Sequence, residues 1–379
     1  MRLRRSITCL ASAVAVAGVL GSAPTATHAA EPTPPLSRSE LREHAREIVA
    51  NGAPGVQVTT RDEYGVRNVV EGVGNLRRQE PPRVGRQFRL GSVTKSFTAT
   101  VVLSLVDDRR IRLDAPIARY LPNLLPYRRS ITVRQLLEHR SGLFDYKSAV
   151  WPNVKATAAS RFRDYTPADL VRIAAREPLQ FAPGERFEYS NTDYVVLGML
   201  VEKVTGNAYE HELWQRVLRP THLRDTYVPG HDPRLRRPAA RGYEDVRSQG
   251  GLTDLTRFNM SAAWASGDLV STTADVNRFY DALLDGRLLS RKMLHAMKQS
   301  GPAFPGFGYG LGLGHLQKCG QQIWGHVGGV PGYNTFAFTN GSTKRQITIM
   351  VNRSLTLDDE ASDAALALVA AEFCGSSTR

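Results

Sequence analysis

Cysteine is scarce in this chain, which has three cysteines among 379 residues. The segment Glu210-His211-Glu212 suggests a metal site, but the His-Glu-x-x-His spacing of metalloproteases does not occur. A metalloenzyme is therefore disfavoured, and neither a metal nor a cofactor is expected. The Gly-x-Ser-x-Gly elbow of α/β-hydrolases is also missing. The longest apolar run, over residues 7–20, is too short to cross a bilayer comfortably, so no integral membrane segment is expected.

The N-terminus has the pattern of a secretory signal peptide. Three arginines precede the apolar run, and small residues ending at Ala30 follow it. Residues 1–30 are therefore predicted to be removed, and the mature protein is expected to be secreted. The formal net charge of +13 would fall to +10. A basic exported protein meets anionic cell-wall polymers or membrane surfaces first, so nucleic acid is not an expected partner.

Two cysteines remain once Cys9 leaves with the signal. Cys319 and Cys374 form an even pair in an oxidising compartment, which favours a disulfide. Two free buried thiols are the alternative. The disulfide would close a long loop and stabilise the fold mainly through the unfolded chain.

Hydrophobic periodicity and turn signals divide the mature chain into helical and strand-rich parts. Helix signals dominate its middle, whereas short strands joined by turns appear near both ends. The predicted segments are a leader at 31–36, an α/β lobe from 37–112 and 252–374, a mostly helical lobe at 113–251 and a tail at 375–379. Strands are predicted at 56–60, 66–73, 308–313, 321–327, 333–339 and 346–352. This predicts an α+β or α/β fold, in which N- and C-terminal helices flank one antiparallel sheet.

The segment Gly91-Ser92-Val93-Thr94-Lys95 places a hydroxyl and an amine three residues apart at the start of a helix. One helical turn brings Ser92 and Lys95 to the same face. The residues that follow are apolar on nearly every side, which predicts a helix through the core. A helix N-terminus favours developing negative charge, so the site suits acyl transfer. Alone, Ser-x-x-Lys is a chance-level match.

Two further segments carry polar groups that could meet Ser92. Tyr189 could relay a proton and Asn191 could hold a substrate amide, although a plain helix cap is the alternative. His326 stands in a strand before Gly328 and Gly329. The glycines would let a substrate lie along the strand, and the N–H of Gly329 could join that of Ser92 as an oxyanion donor. A structural histidine is the alternative here.

Together these motifs resemble the signatures of the penicillin-recognising serine hydrolases, which include class C β-lactamases and D-alanyl-D-alanine carboxypeptidases. Ser92-x-x-Lys95, Tyr189-x-Asn191 and His326-x-Gly328 carry the resemblance, which is closest to secreted actinomycete carboxypeptidases. The surrounding segments 88–97, 131–135, 139–143 and 309–313 and the cysteine pair extend it. The resemblance implies a β-lactamase/transpeptidase-like fold.

The resemblance also implies a role for each site residue. Ser92 would form the acyl-enzyme, and Lys95 or Tyr189 would act as the base. Tyr189 would pass the proton to the leaving group, and Asn191 would hold the acyl amide. His326 would supply polar or positive character near the leaving-group carboxylate. Trp264, together with Gly328 and Gly329, is expected to contact substrate.

Several departures from the carboxypeptidases concern the substrate. Gly314 and His315 stand where those enzymes have an arginine for the terminal carboxylate. Val327 replaces a threonine, and Pro331 replaces a polar residue. We therefore expect a D-alanyl-D-alanine carboxypeptidase that acts on peptidoglycan stem peptides, is acylated by β-lactams and is a monomer. An esterase, a D-amino-acid amidase or a β-lactamase on the same scaffold is the alternative, and a catalytically silent cell-wall binder is a further one.

Overall fold

The computed structural model describes residues 34–236, 239–246, 251–304, 306–340, 345–356 and 359–375. The predicted signal peptide lies outside these residues, as do residues 31–33 of the leader and 376–379 of the tail. Within the described residues, no helix combines the length and the apolar character needed to cross a membrane.

One antiparallel sheet of eight strands forms the centre of the fold. Its strand order is β2-β1-β12-β11-β10-β9-β8-β7. The N-terminal hairpin therefore joins the C-terminal meander through β1 and β12, where Val58 pairs with Ile349, as the sequence predicted. The strands are β1 (Gly55–Asp62), β2 (Gly65–Gly72), β3 (Phe88–Arg89), β4 (Tyr243–Glu244), β5 (Thr253–Asp254), β6 (Val270–Ser271), β7 (Gly301–Phe304), β8 (Phe307–Tyr309), β9 (Gly314–Lys318), β10 (Gln321–Val330), β11 (Tyr333–Asn340) and β12 (Gln346–Val351).

The predicted strand at 308–313 is wrong in extent. Strand β8 ends at Tyr309, and the chain turns before β9 begins. Gly312 has a φ of +77°, and a Cβ on it would lie 2.3 Å from the Cβ of Ala99. This glycine allows the turn to press against the helix that follows Ser92. Strands β7 and β9 were not predicted.

Helices cover both faces of the sheet. They are α1 (Arg38–Ala50), α2 (Thr94–Asp107), α3 (Val133–Leu137), α4 (Lys147–Val150), α5 (Val154–Ala159), α6 (Pro167–Ala174), α7 (Asn191–Thr205), α8 (Tyr209–Leu213), α9 (Thr273–Leu284), α10 (Arg291–Lys298) and α11 (Glu360–Cys374). Ser37, Thr132 and Thr166 form capping boxes at the starts of α1, α3 and α6. These caps satisfy N–H groups that a helix end leaves unpaired.

Two hydrophobic cores hold the layers together. The terminal helices α1 and α11 pack on one face, where Ile48, Val58 and Leu368 are fully buried. Helix α2 runs through the larger core on the other side, as predicted. Its buried hydroxyls are satisfied internally, because Ser96 and Thr98 donate to the carbonyls of Gly312 and Ala265. A buried and fully bonded α2 gives the Ser92 turn a rigid base.

A disulfide joins Cys319, at the turn between β9 and β10, to Cys374 at the end of α11. The two Cα atoms are 5.8 Å apart and the bridge closes 55 residues. We expect a Cys319→Ser/Cys374→Ser variant to lose about 4 kcal/mol of unfolding free energy, since its unfolded chain gains loop entropy. Urea unfolding measures this loss. Two free thiols in the wild-type protein would contradict the bridge.

Candidate active site

Ser92 lies in a tight turn that leads directly into α2. Residues Gly91–Val93 form a 3₁₀ turn, and α2 begins at Thr94. The side chains of Val93 and Lys95 are buried, whereas Ser92 is partly exposed. The Ser92 turn lies at the N-terminus of α2, where the helix dipole favours negative charge. The turn therefore presents this hydroxyl to solvent and to a substrate.

The Lys95 side chain is fully buried beneath Ser92. Its Nζ lies 3.1 Å from the Ser92 Oγ. It donates to the Asn191 Oδ1 at 2.7 Å and to the Ser266 carbonyl at 2.8 Å. These contacts hold the amine at hydrogen-bond distance from the nucleophile.

Burial lowers the pKa of Lys95 well below the ordinary lysine value, and the carboxylate of Asp145 offsets only part of this effect. A neutral amine has two N–H donors, which match Asn191 and Ser266. Its lone pair is then directed at the Ser92 hydroxyl. Lys95 is thus arranged to accept the Ser92 proton.

Tyr189 immediately precedes the first turn of α7, and its ring centroid lies 4.7 Å from the Lys95 Nζ. Its hydroxyl is buried without an aligned hydrogen-bond partner among the described residues. Burial raises the pKa of Tyr189, and the nearby Ser92 hydroxyl offsets this rise only in part. The phenol therefore stays protonated at neutral pH. Of the two candidate bases, the pKa directions favour Lys95, and Tyr189 is suited to donate a proton.

His326 lies on β10 in its neutral form. Burial, with a smaller contribution from the nearby Lys95, lowers the pKa of His326 to about 3. Its Nδ1 lies 2.5 Å from the Val327 carbonyl, which can only accept a hydrogen bond. The Nε2 must then accept from the Tyr309 hydroxyl at 3.1 Å. His326 therefore offers this site polar character without positive charge.

The Ser92 turn packs directly on the glycine segment of β10. A Cβ on Gly328 would lie 2.1 Å from the Leu90 carbonyl oxygen and 3.0 Å from the Ser92 nitrogen. Only glycine allows this approach. Strand β9 pairs with β10 only as far as Gly325, so among the described strands the segment from His326 to Val330 pairs on one side alone. Its other edge and the N–H groups of Ser92 and Gly329 suit a bound acyl group.

Asn191 and Trp264 were also predicted to contact the substrate, and each of them packs mainly against other residues of the protein. Asn191 is largely committed within the site, because its amide accepts from Lys95 and donates to Asp145 at 2.9 Å. The structure does not bring Trp264 into the pocket. Its φ of +33° turns the indole inward, where its centroid lies 5.3 Å from that of Tyr209. This segment reaches Lys95 through the Ser266 carbonyl instead.

A pocket of about 430 Å³ opens over Ser92 and also contains Tyr189 and His326. Lys147 is the only Lys or Arg lining it within the described part of the chain. Most of the wall is hydrophobic and was not recognised from the sequence. Its apolar members are Phe304, Phe307, Leu316, Val327, Leu355 and Leu366. The pocket is thus more apolar than one built for a doubly charged ligand.

The predicted loss of a carboxylate-binding arginine has a structural basis. A Cβ on Gly314 would lie 2.2 Å from the Phe307 ring, so there is no space for any side chain larger than that of glycine. The His315 ring lies beside Trp324, at 5.0 Å between centroids. Burial also lowers the pKa of His315. Neither residue supplies a cation to the pocket.

The lowered pKa of Lys95 determines the acid limb of the pH profile. A general base works only when deprotonated, so kcat/KM should rise with pH through the Lys95 pKa. Because burial lowers that pKa, the rise should level off well before pH 10.5, the ordinary lysine value. A pH series from 5 to 10 with a neutral substrate measures this. A rate that still climbs tenfold per unit at pH 10 would contradict a neutral Lys95.

The chain is similar to one protein family and to solved structures of amide-hydrolysing enzymes. The family model described as Beta-lactamase matches residues 41–372. A D-stereospecific amidohydrolase from Streptomyces sp. superimposes with a TM-score of 0.81 and 33% identity, over 90% of this chain and 100% of that one. A D-amino acid amidase from Ochrobactrum anthropi SV3, complexed with D-phenylalanine, gives a TM-score of 0.76 and 30% identity, over 87% and 97% of the two chains.

A curated relative is also similar to this chain over most of its length. A D-aminopeptidase from Cereibacter sphaeroides is 26% identical over 319 residues, which cover 82% of this chain. The match spans only 59% of that relative's length. The activity of the longer protein therefore does not transfer directly to this one.

Proposed function

The chain belongs to the Beta-lactamase family, and on that premise we propose that it is a serine amidohydrolase acting on D-amino acid amides or on peptides with an N-terminal D-residue. Ser92 attacks the amide carbonyl while Lys95 takes its proton. The N–H groups of Ser92 and Gly329 stabilise the oxyanion. Tyr189 passes a proton to the leaving amine, and water then releases the acid by the reverse sequence.

The observation that carries this proposal is the lack of an arginine or a charged histidine in the described lining of the pocket over Ser92. His326 is neutral, and the Phe307 ring leaves no space for a charged side chain at position 314. A terminal carboxylate without a guanidinium loses one of the stronger recognition contacts. An amide leaving group carries no charge and needs no such partner. The similarity to the structures of a D-stereospecific amidohydrolase and a D-amino acid amidase also supports an amide substrate.

A second candidate is the D-alanyl-D-alanine carboxypeptidase on peptidoglycan stem peptides. Lys147 lines the pocket and is exposed, so it could meet a carboxylate as a point charge. This is a weaker contact than a bidentate arginine. Acylation of Ser92 by β-lactams is proposed under either function, because it requires only the nucleophile, the base and the oxyanion donors.

One substrate panel separates these functions. We expect D-phenylalanine amide to be hydrolysed at least about tenfold faster, in kcat/KM, than its L-isomer and than D-alanine release from a D-Ala-D-Ala peptide. Reversed preference for the D-Ala-D-Ala peptide would establish the carboxypeptidase. Turnover of a short nitrophenyl ester alone would indicate an esterase, and fast turnover of a penicillin would indicate a β-lactamase.

We also propose that the protein is secreted and that it is a monomer. Secretion is supported by the charge and apolar pattern of residues 1–30. N-terminal sequencing of protein from culture medium should find a start near residue 30 or 31. Light scattering should give a mass below the 41.8 kDa of the whole chain. A multiple of that mass would contradict the monomer.

A further inference from the structure

A second cavity of about 360 Å³ lies apart from the pocket over Ser92 and shares no lining residue with it. It opens between the loop that follows β2 and the segment just before β4. Gly55, Met350 and Asn352, at the ends of β1 and β12, contribute its sheet side. The proposed catalytic sequence uses none of these residues.

Four of the residues lining this cavity are arginines, and we call it the arginine cavity. Three of them, Arg78, Arg83 and Arg86, lie on the loop between β2 and β3. Arg241 comes from a distant part of the sequence. Glu80 is the only carboxylate residue in the described lining. The fold therefore gathers basic residues that look scattered along the chain.

Two of these arginines lack a compensating charge within the part of the chain that the structure describes. Arg78 lies 3.7 Å from Glu80, and Arg241 pairs with Asp254 at 2.5 Å. Within the described residues, neither Arg83 nor Arg86 has a carboxylate at ion-pairing distance. Guanidinium groups crowded on one concave surface repel each other, and a bound anion would relieve that repulsion.

The loop that carries these arginines is held in place before any ligand binds. The backbone N–H of Asn75 donates to the Glu80 carbonyl at 3.0 Å, and that of Leu76 donates to the Tyr243 hydroxyl at 2.9 Å. A Cβ on Gly74 would lie 2.6 Å from the Cα of Pro82, so the loop packs tightly on itself. A fixed loop reduces the entropy lost on binding.

We propose that the arginine cavity binds a phosphate-bearing ligand. The planar guanidinium matches two phosphate oxygens at once, and two uncompensated arginines match a doubly charged group. The cavity is larger than a single phosphate needs, so it leaves room for a second phosphate or for an organic remainder. This site is independent of the chemistry at Ser92.

Calorimetric titration with inorganic pyrophosphate tests the proposal. We expect saturable binding of one pyrophosphate per chain. An Arg83→Gln/Arg86→Gln variant should bind at least about tenfold more weakly, because it loses two charge-assisted contacts to the phosphate oxygens. Hydrolysis at Ser92 should be unchanged in this variant, so failure of the site and failure of the proposed function can be distinguished.

The matched control is Arg128→Gln/Arg129→Gln. Both residues are exposed and lie outside the cavity, so the control removes the same charge elsewhere. It should bind pyrophosphate within about twofold of wild type, since distant surface charges are screened by salt. Equal weakening by both variants would show mere attraction to a basic surface and overturn the site. No saturable binding to the wild type would overturn it too. If the double variant does not fold, Arg83→Gln alone serves, since that side chain is exposed.

Discussion

A Ser92→Ala chain is expected to lose about six orders of magnitude in kcat, the loss typical of a serine hydrolase without its nucleophile. The Ser92 hydroxyl is the proposed nucleophile; it is partly exposed and lies 3.1 Å from the Lys95 amine. Its removal leaves Lys95 with its bonds to Asn191 and Ser266. The thermal midpoint should therefore change little. Amide hydrolysis and a melting curve on the same sample measure both effects.

Ser104→Ala provides a matched control on the same helix. Ser104 donates to the Val101 carbonyl and has no contact with the pocket over Ser92. We expect its kcat to stay within about twofold of wild type, with up to about 1 kcal/mol lost in stability. Wild-type turnover by Ser92→Ala would mean that another group performs the attack.

The second large effect is expected for Lys95→Met, which should reduce kcat/KM by roughly 10²–10⁴-fold, the usual contribution of a general base. Methionine fills much of the same volume but cannot accept the Ser92 proton. The Asn191 oxygen and the Ser266 carbonyl also lose their donor, at about 1–3 kcal/mol for each group left unsatisfied. The residual rate should lose the acid limb that belongs to Lys95.

Lys203→Met is the control for Lys95→Met. Lys203 is exposed on α7, far along the helix from Asn191, so the same substitution removes a charge without touching the site. Its kcat/KM and pH profile should match wild type. If Lys95→Met kept the wild-type acid limb, a different group would be the base, and Tyr189 would be the next candidate.

Much of the fold could be predicted because local chemistry decides it. Ser37 and Thr132 form capping boxes, and alternating apolar residues place β1 and β12 in the sheet. The buried helix after Ser92 follows from its unbroken apolar composition. Strands β7 and β9 escaped prediction because they are short, and glycine-rich turns interrupt their pattern.

The residues of the site could be predicted from the sequence, but their protonation states could not. Spacing identified Ser92 and Lys95, whereas the neutral state of His326 depends on burial and on Tyr309, which no local pattern shows. The buried position of Trp264 against Tyr209 likewise depends on packing between distant segments. The apolar wall and the arginine cavity combine residues from distant segments, so only the fold brings their members together.

The most direct test of the account is the mass of a trapped acyl-enzyme. The protein is mixed with a labelled penicillin or a slow ester substrate, quenched in acid, digested and mapped by mass spectrometry. We expect one acyl group per chain, located on Ser92 and lacking in Ser92→Ala. An acyl group on another residue, or rapid hydrolysis with no covalent species in either protein, would contradict it.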